Sequence, residues 1–129
     1  MKTNLILVLS IFLFGISHAQ ENCQNFRTGN FQNMENGILK ATIQRNDSIQ
    51  REQYGEKEVK LRIDWIDECS YRLKFLEGNE AFWNSRPKGM STPDLIVRII
   101  DVNGNKSIQE SKFEIDGDFV YRSEIIKVE

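Results

Sequence analysis

Apolar and polar residues alternate with period two along much of this chain. Val59, Leu61, Ile63 and Trp65 fall in one phase, while Lys60, Arg62 and Asp64 fall in the other. A little further on, Tyr71, Leu73 and Phe75 alternate with Ser70, Arg72 and Lys74. Successive side chains of a strand point to opposite faces, so both runs predict half-buried strands. Asp67-Glu68 between them predicts a tight turn and therefore an antiparallel hairpin, with the seven apolar residues inward. Cys69 falls in the apolar phase of the second strand, which predicts that any bridge it makes lies inside the sheet.

Other segments follow the same rule. Leu39, Ala41 and Ile43 alternate, Asn46-Asp47 marks a turn, and residues 49–54 return before a second turn at Tyr54-Gly55-Glu56. Residues 95–102 form a denser apolar run, expected to be a strand covered on both faces. Asn103-Gly104 is a hairpin signal, since a type I′ turn needs positive φ at both central positions. Residues 107–115 follow, then Asp116-Gly117, then a last strand over residues 119–128. Near the start, residues 26–31 predict a strand whose Phe26 and Phe31 lie in opposite phases, so a bulge or bend is expected at Gly29. About eight consecutive antiparallel strands with short turns predict an all-β up-and-down meander, closed or nearly closed into a barrel. A two-sheet sandwich is the competing architecture.

Residues 77–93 interrupt the alternation and hold Phe82, Trp83, Met90, Pro87 and Pro93. Long connections inside a compact domain are often lids or binding loops. Residues 79–84 suit one helical turn with Phe82 and Trp83 facing the core. Both aromatics are expected to pack over one end of the sheet, as a plug on a filled core or as the gate of a pocket, the plug being preferred.

The N-terminus narrows the chemistry. Lys2 opens a short basic region, residues 5–16 are apolar but too few to span a bilayer, and Ser17-His18-Ala19 suits a signal-peptidase site. Cleavage there divides the chain into a signal peptide, residues 1–19, and a single β domain, residues 20–129. It also removes His18, the only histidine of the 129 residues. The remaining chain then lacks the residue for a Ser-His-Asp triad, a Cys-His dyad or a histidine-ligated metal. Without Lys2 it carries 16 basic and 19 acidic residues, a net charge of −3 with the signs interspersed. That argues against nucleic acid as a partner. No second apolar run approaches a membrane span. The expectation is a soluble monomer, periplasmic or secreted.

Cys23 and Cys69 are the only cysteines. In an oxidising compartment they are expected to bond to each other, closing a long loop worth about 4 kcal/mol in the chain-entropy model. A redox-active or intermolecular pair is the alternative, though no Cys-x-x-Cys is present.

Several of these residues resemble the pattern of an uncharacterised family of small exported proteins from Bacteroidetes-type bacteria. The resemblance rests on Cys23, on Phe26-Arg27-Thr28-Gly29-Asn30-Phe31, on Arg45 with Gln50 and Glu52, and on Trp65, Cys69 and Tyr71. It covers the first half of the exported chain and implies no activity. Gly29-Asn30-Phe31 also resembles the Gly-x-aromatic of the first strand in lipocalin-like barrels, where Phe31 replaces the usual tryptophan.

The candidate ligand-binding residues are Trp65, Tyr71, Phe75, Phe82 and Trp83, which would line a cavity beneath the long loop. The alternative is that they fill the core of a small barrel. Asp64, Asp67 and Glu68 cluster at one turn, where a solvated surface is the simpler reading than paired catalytic carboxylates. Asp101, Asn103 and Asn105 offer oxygens but lack a calcium-loop pattern. Asp47-Ser48-Ile49 resembles the O-glycosylation signal of the same bacteria, which makes Ser48 a candidate acceptor. No cofactor and no metal are implied. The preferred function is a non-enzymatic exported barrel that binds a small apolar ligand or an envelope component. A structural or interaction protein without a cavity is second, and a carboxylate-dependent hydrolase third.

Overall fold

The computed structural model describes residues 23–115 and 120–128. The expected signal peptide and the turn at Asp116-Gly117 lie outside the described residues. A 3-10 helix, Cys23–Phe26, leads into eight strands: β1 (Gly29–Glu35), β2 (Ile38–Arg45), β3 (Ile49–Tyr54), β4 (Lys57–Asp67), β5 (Ser70–Gly78), β6 (Leu95–Asn103), β7 (Lys106–Phe113) and β8 (Tyr121–Lys127). One short helix, α1 (Glu80–Asn84), sits between β5 and β6. Each strand pairs antiparallel with the next, and β8 returns to β1 through Phe31↔Lys127 to Met34↔Glu124, so the barrel is closed. The meander is therefore a barrel and not a sandwich, consistent with a lipocalin-like topology.

The strong hairpin is as expected. Leu61 opposes Phe75, Ile63 opposes Leu73 and Trp65 opposes Tyr71. All seven residues of the apolar phase are buried or half-buried, while Arg62 on the other face is exposed. The turn differs by one residue. Ile66 is an extra residue in β4, so Asp67 pairs with Ser70 and the turn falls on Glu68-Cys69. A bulge adds one residue to one strand and so displaces everything beyond it. Cys69 consequently sits at the barrel end rather than within the sheet. Leu76 in β5 and Ile100 in β6 are likewise skipped in the pairing. Lys40 in β2 is skipped too, which takes Leu39 out of the inward phase of Ala41 and Ile43 and leaves it exposed. All four skipped side chains are exposed.

Three further expectations are corrected. Phe26 is not in a strand. It closes the 3-10 helix, and β1 begins only at Gly29, whose φ of 132° turns the chain. Both phenylalanines are thereby buried, stacked with centroids 5.9 Å apart. Strand β6 is not covered on both faces, since Arg98, Ile100 and Asp101 on its outer side are exposed. Its hairpin turn is Gly104-Asn105, flanked by the pair Asn103↔Lys106, with positive φ at Gly104 alone. That is the glycine-first pattern of a type II′ turn. The type I′ turn is at Asn36-Gly37 instead, with φ of 52° and 77°.

The continuous core lies toward one end. Cys23, Phe26, Phe31, Ile43, Ile63, Tyr71, Leu73, Val97, Ile99 and Ile125 form it, with Trp65 and Cys69 packed against them. The 3-10 helix and the turns 46–48, 68–69 and 104–105 close this end. The turns 36–37 and 55–56, α1 with its loop, and the ends of β7 and β8 at Phe113 and Tyr121 lie at the other.

Candidate functional site

The closed end carries an unusual charge. Arg45 ends the inward phase of β2 that Ala41 and Ile43 begin, and it is only 5% exposed. An arginine stays charged in a protein, so its burial requires acceptors on every side. Its Nε donates to Gln50 Oε1 at 2.8 Å, Nη1 to the Phe26 carbonyl, and Nη2 to Tyr71 Oη at 3.1 Å. Its guanidinium also lies over the rings of Phe31 and Tyr71, 4.9 and 4.8 Å from their centroids. Tyr71 Oη then donates to Gln109 Oε1 at 2.8 Å, and Gln109 Nε2 to Ser107 Oγ at 3.4 Å. Burial pushes the Tyr71 phenol up against the pull of Arg45, which keeps it a hydrogen-bond donor. In the other direction, Gln50 Nε2 donates to Glu52 Oε1 at 2.6 Å. A hydrogen-bonded chain thus crosses the barrel floor from Glu52 on β3 to Ser107 on β7.

The disulfide Cys23–Cys69 pins the 3-10 helix beneath this floor, with Cα atoms 5.3 Å apart. Cys23 and Phe26, both buried, therefore act as a stopper joined covalently to the β4–β5 turn. Trp65 packs here as well, against Tyr71 at 4.8 Å and under the guanidinium of Arg27 at 4.7 Å.

Above the floor the interior opens. A cavity of about 510 Å³ is lined by Val59, Leu61, Leu73, Phe75, Leu95 and Phe113 from the strands. Phe82, Arg86 and residues 90–93 line it from the loop, and Glu52 and Tyr54 also face it. That size lies within the usual range of small-molecule sites, roughly 300–1,000 Å³. Among these lining residues Glu52 carries the one carboxyl group and Arg86 the one guanidinium. Burial raises the Glu52 carboxyl above its ordinary 4.5, and the hydrogen bond from Gln50 and the charge of Arg45 oppose that rise. A second cavity of about 340 Å³ shares Glu52 and Val59 but includes the outward-facing Asn30, Gln32, Thr42 and Gln44. It is a crevice in the wall, where the β2–β3 pairing stops at Thr42↔Gln53.

The lid is held by a few contacts. Asn79 caps α1 by accepting the Phe82 N–H at 3.0 Å, and its amide donates to the Glu56 carbonyl at 2.8 Å. Phe82 is 5% exposed and stacks on Phe75 at 5.3 Å. Gly78 makes room for it: a Cβ there would lie 2.4 Å from the Phe82 ring. Trp83 does not enter the core, being 47% exposed and packed edge-on against Phe75 and Phe82. Neighbouring residues of a helix point about 100° apart, so one turn cannot aim both aromatics inward. Of the five candidate ligand-binding residues, Phe75 and Phe82 border the cavity, Trp65 and Tyr71 belong to the filled end, and Trp83 lies outside.

The remaining candidates stay apart. Asp64 pairs with Arg62 at 3.0 Å, Asp67 accepts the Cys69 N–H at 2.9 Å, and Glu68 is exposed. Asn105 donates to the Lys127 carbonyl at 3.3 Å, while Asp101 and Asn103 are exposed. Ser48 lies on an exposed turn in which Asn46 Oδ1 accepts the N–H groups of Ser48 and Ile49 at 3.0 and 2.8 Å. Among the described residues no group of His, Cys, Asp or Glu is placed to hold a metal, and no helix is long and apolar enough to cross a membrane. Comparison with protein-family models, curated proteins and solved structures finds no match to this chain.

The buried polar chain was the feature that alternation alone missed. Its signal was phase: Arg45 continues an apolar phase, and Gln50, Glu52 and Tyr54 share one inward phase on β3.

Proposed function

We propose that this chain is an exported, non-enzymatic barrel protein that holds a small apolar molecule in the open end of its barrel. The observation that carries this reading is the cavity of about 510 Å³, walled by Val59, Leu61, Leu73, Phe75 and Leu95 and roofed by Phe82. A small closed barrel is ordinarily filled or holds one small ligand, and here only one end is filled. Apolar walls with few polar groups favour an apolar body over a sugar, nucleotide or metal ion. Export accords with the Ser17-His18-Ala19 site and with the bonded cysteines, since disulfides persist in oxidising compartments. The lid acts as a gate: Phe82 borders open space and does not lie on a filled core.

Native mass spectrometry of the protein taken from its own host tests both parts. The expected mass begins at Gln20, lacks two hydrogens for the disulfide, and shows a non-covalent apolar adduct. A Leu61→Trp variant, which fills the cavity, should fold and lose the adduct. Absence of any adduct, together with failure to bind an apolar fluorophore such as N-phenylnaphthylamine, would overturn the ligand reading. A retained leader would overturn export.

A further inference from the structure

The molecule in this cavity has a chemistry that Glu52 selects. We propose, on the basis of the ligand-binding reading above, that it is an apolar alcohol whose hydroxyl enters first and is received by the Glu52 carboxylate.

Glu52 is the one carboxylate bordering the cavity, and it is the end of the hydrogen-bonded chain that runs through Gln50 to Arg45 and beyond. Only its Oε1 is engaged, by Gln50 Nε2 at 2.6 Å, so Oε2 is left without a protein partner. Polar groups at buried sites normally find partners, and an open carboxylate oxygen in an apolar cavity calls for a donor.

Charge decides which donor. Arg45 makes no direct ion pair, and its hydrogen bonds go to an amide, a phenol and a backbone carbonyl. Its compensating charge is Glu52, reached through the Gln50 side chain. Burial works against ionisation of Glu52, and mildly alkaline buffer favours it; the ionised carboxyl then balances the cation of the floor, Arg45. An ammonium ligand would add a second buried cation, and a carboxylate ligand would face Glu52 as a like charge, both costly at low dielectric. A neutral O–H donates to Oε2 and leaves the balance intact.

The rim offers the competing arrangement. Arg86 borders the cavity, lies 4.9 Å over the Phe82 ring and donates to the Ser91 carbonyl at 2.9 Å. It makes no ion pair among the described residues. Its Nε is buried without a hydrogen-bond partner among them, so a fatty acid carboxylate is the rival occupant; its terminal methyl would then point toward Glu52 and leave Oε2 without a donor.

Displacement of N-phenylnaphthylamine by decanol, decyl methyl ether, decylamine and decanoate, on the whole protein in mildly alkaline buffer, separates these cases. Decanol should displace the probe at about tenfold lower concentration than the ether, which has the same chain but no donor, as expected for a hydrogen bond to a charged acceptor. Decylamine and decanoate should be weaker than decanol. In Glu52→Gln the penalty on decanoate should shrink, and the ranking in the unaltered protein stands even if that variant folds poorly. Equal displacement by all four would overturn the alcohol assignment and leave the apolar cavity standing. Tightest binding by decanoate, lost in Arg86→Gln, would overturn it in favour of an acid headgroup at the rim. Failure of the probe itself to bind would overturn the ligand reading beneath it.

Discussion

At one end of the barrel, Cys23 and Phe26 are folded under the strands, Cys23 is bonded to Cys69, and the inward side chains join one buried cluster. At the other, the same strands carry Val59, Leu61, Phe75 and Leu95 around open space, roofed by a helix of five residues. Both ends are built from one alternating pattern, so alternation alone does not make a barrel solid or hollow. The difference comes from what covers each end. The lower cover is a covalently anchored segment whose Phe26 stacks on Phe31 of β1 and whose Phe26 carbonyl accepts from Arg45 of β2. The upper cover hangs from Asn79 and from one buried ring, Phe82, seated in the space that Gly78 leaves. Local stability follows the number of buried contacts, so the lid is the part expected to open.

Removing the disulfide should give the largest effect on this contrast. Cys23→Ala with Cys69→Ala frees a sequence separation of 46 residues. A loss of about 4 kcal/mol is expected from the chain-entropy model, measured by denaturant unfolding. If the stopper and not the sheet sets the filled end, the same variant should expose Trp65 to fluorescence quenchers before Trp83 changes. A loss under about 1 kcal/mol would mean that packing alone holds the stopper.

Adding volume at each end sharpens the comparison next. Val97→Phe, in the filled core, should cost about 1–3 kcal/mol through overpacking. Leu61→Phe, at the cavity wall, should cost less than about 1.5 kcal/mol because open space receives the ring. Equal costs from thermal melts of the two variants would contradict the hollow end.

The smallest effect concerns pH. The folded-state pKa of Glu52 is raised from 4.5, so the folded state binds this proton more tightly than the unfolded state does. Stability from this group is therefore greatest below that value and declines as pH rises through 4.5 toward the raised value. The melting temperature of the protein minus that of Glu52→Gln should fall across this window. A difference that rises with pH would show that the charge of Arg45 outweighs desolvation.

Much of the fold was legible because strand periodicity is local. The eight strands, the β4–β5 pairing and the inward phase from Val59 to Phe75 follow from side-chain alternation within single segments. The cysteine pair was legible too, from there being only two. The exact seat of Cys69 was not, because a bulge at Ile66 leaves no mark in the apolar pattern and shifts the turn by one residue. The choice between Phe82 and Trp83 for the core was equally hidden, since both are large and adjacent.

What the sequence determined by itself is the meander, because alternation and short turns are properties of neighbouring residues. What only the tertiary structure decided is closure, the burial of Arg45 with Gln50 and Glu52, and the hollow above them. Each of those depends on groups brought together from distant strands. A charged side chain in an apolar phase can be buried only once Tyr71 and the Phe26 carbonyl arrive to receive it. A cavity, likewise, is the space that no residue fills, and that space is set by how strands far apart in sequence close around it.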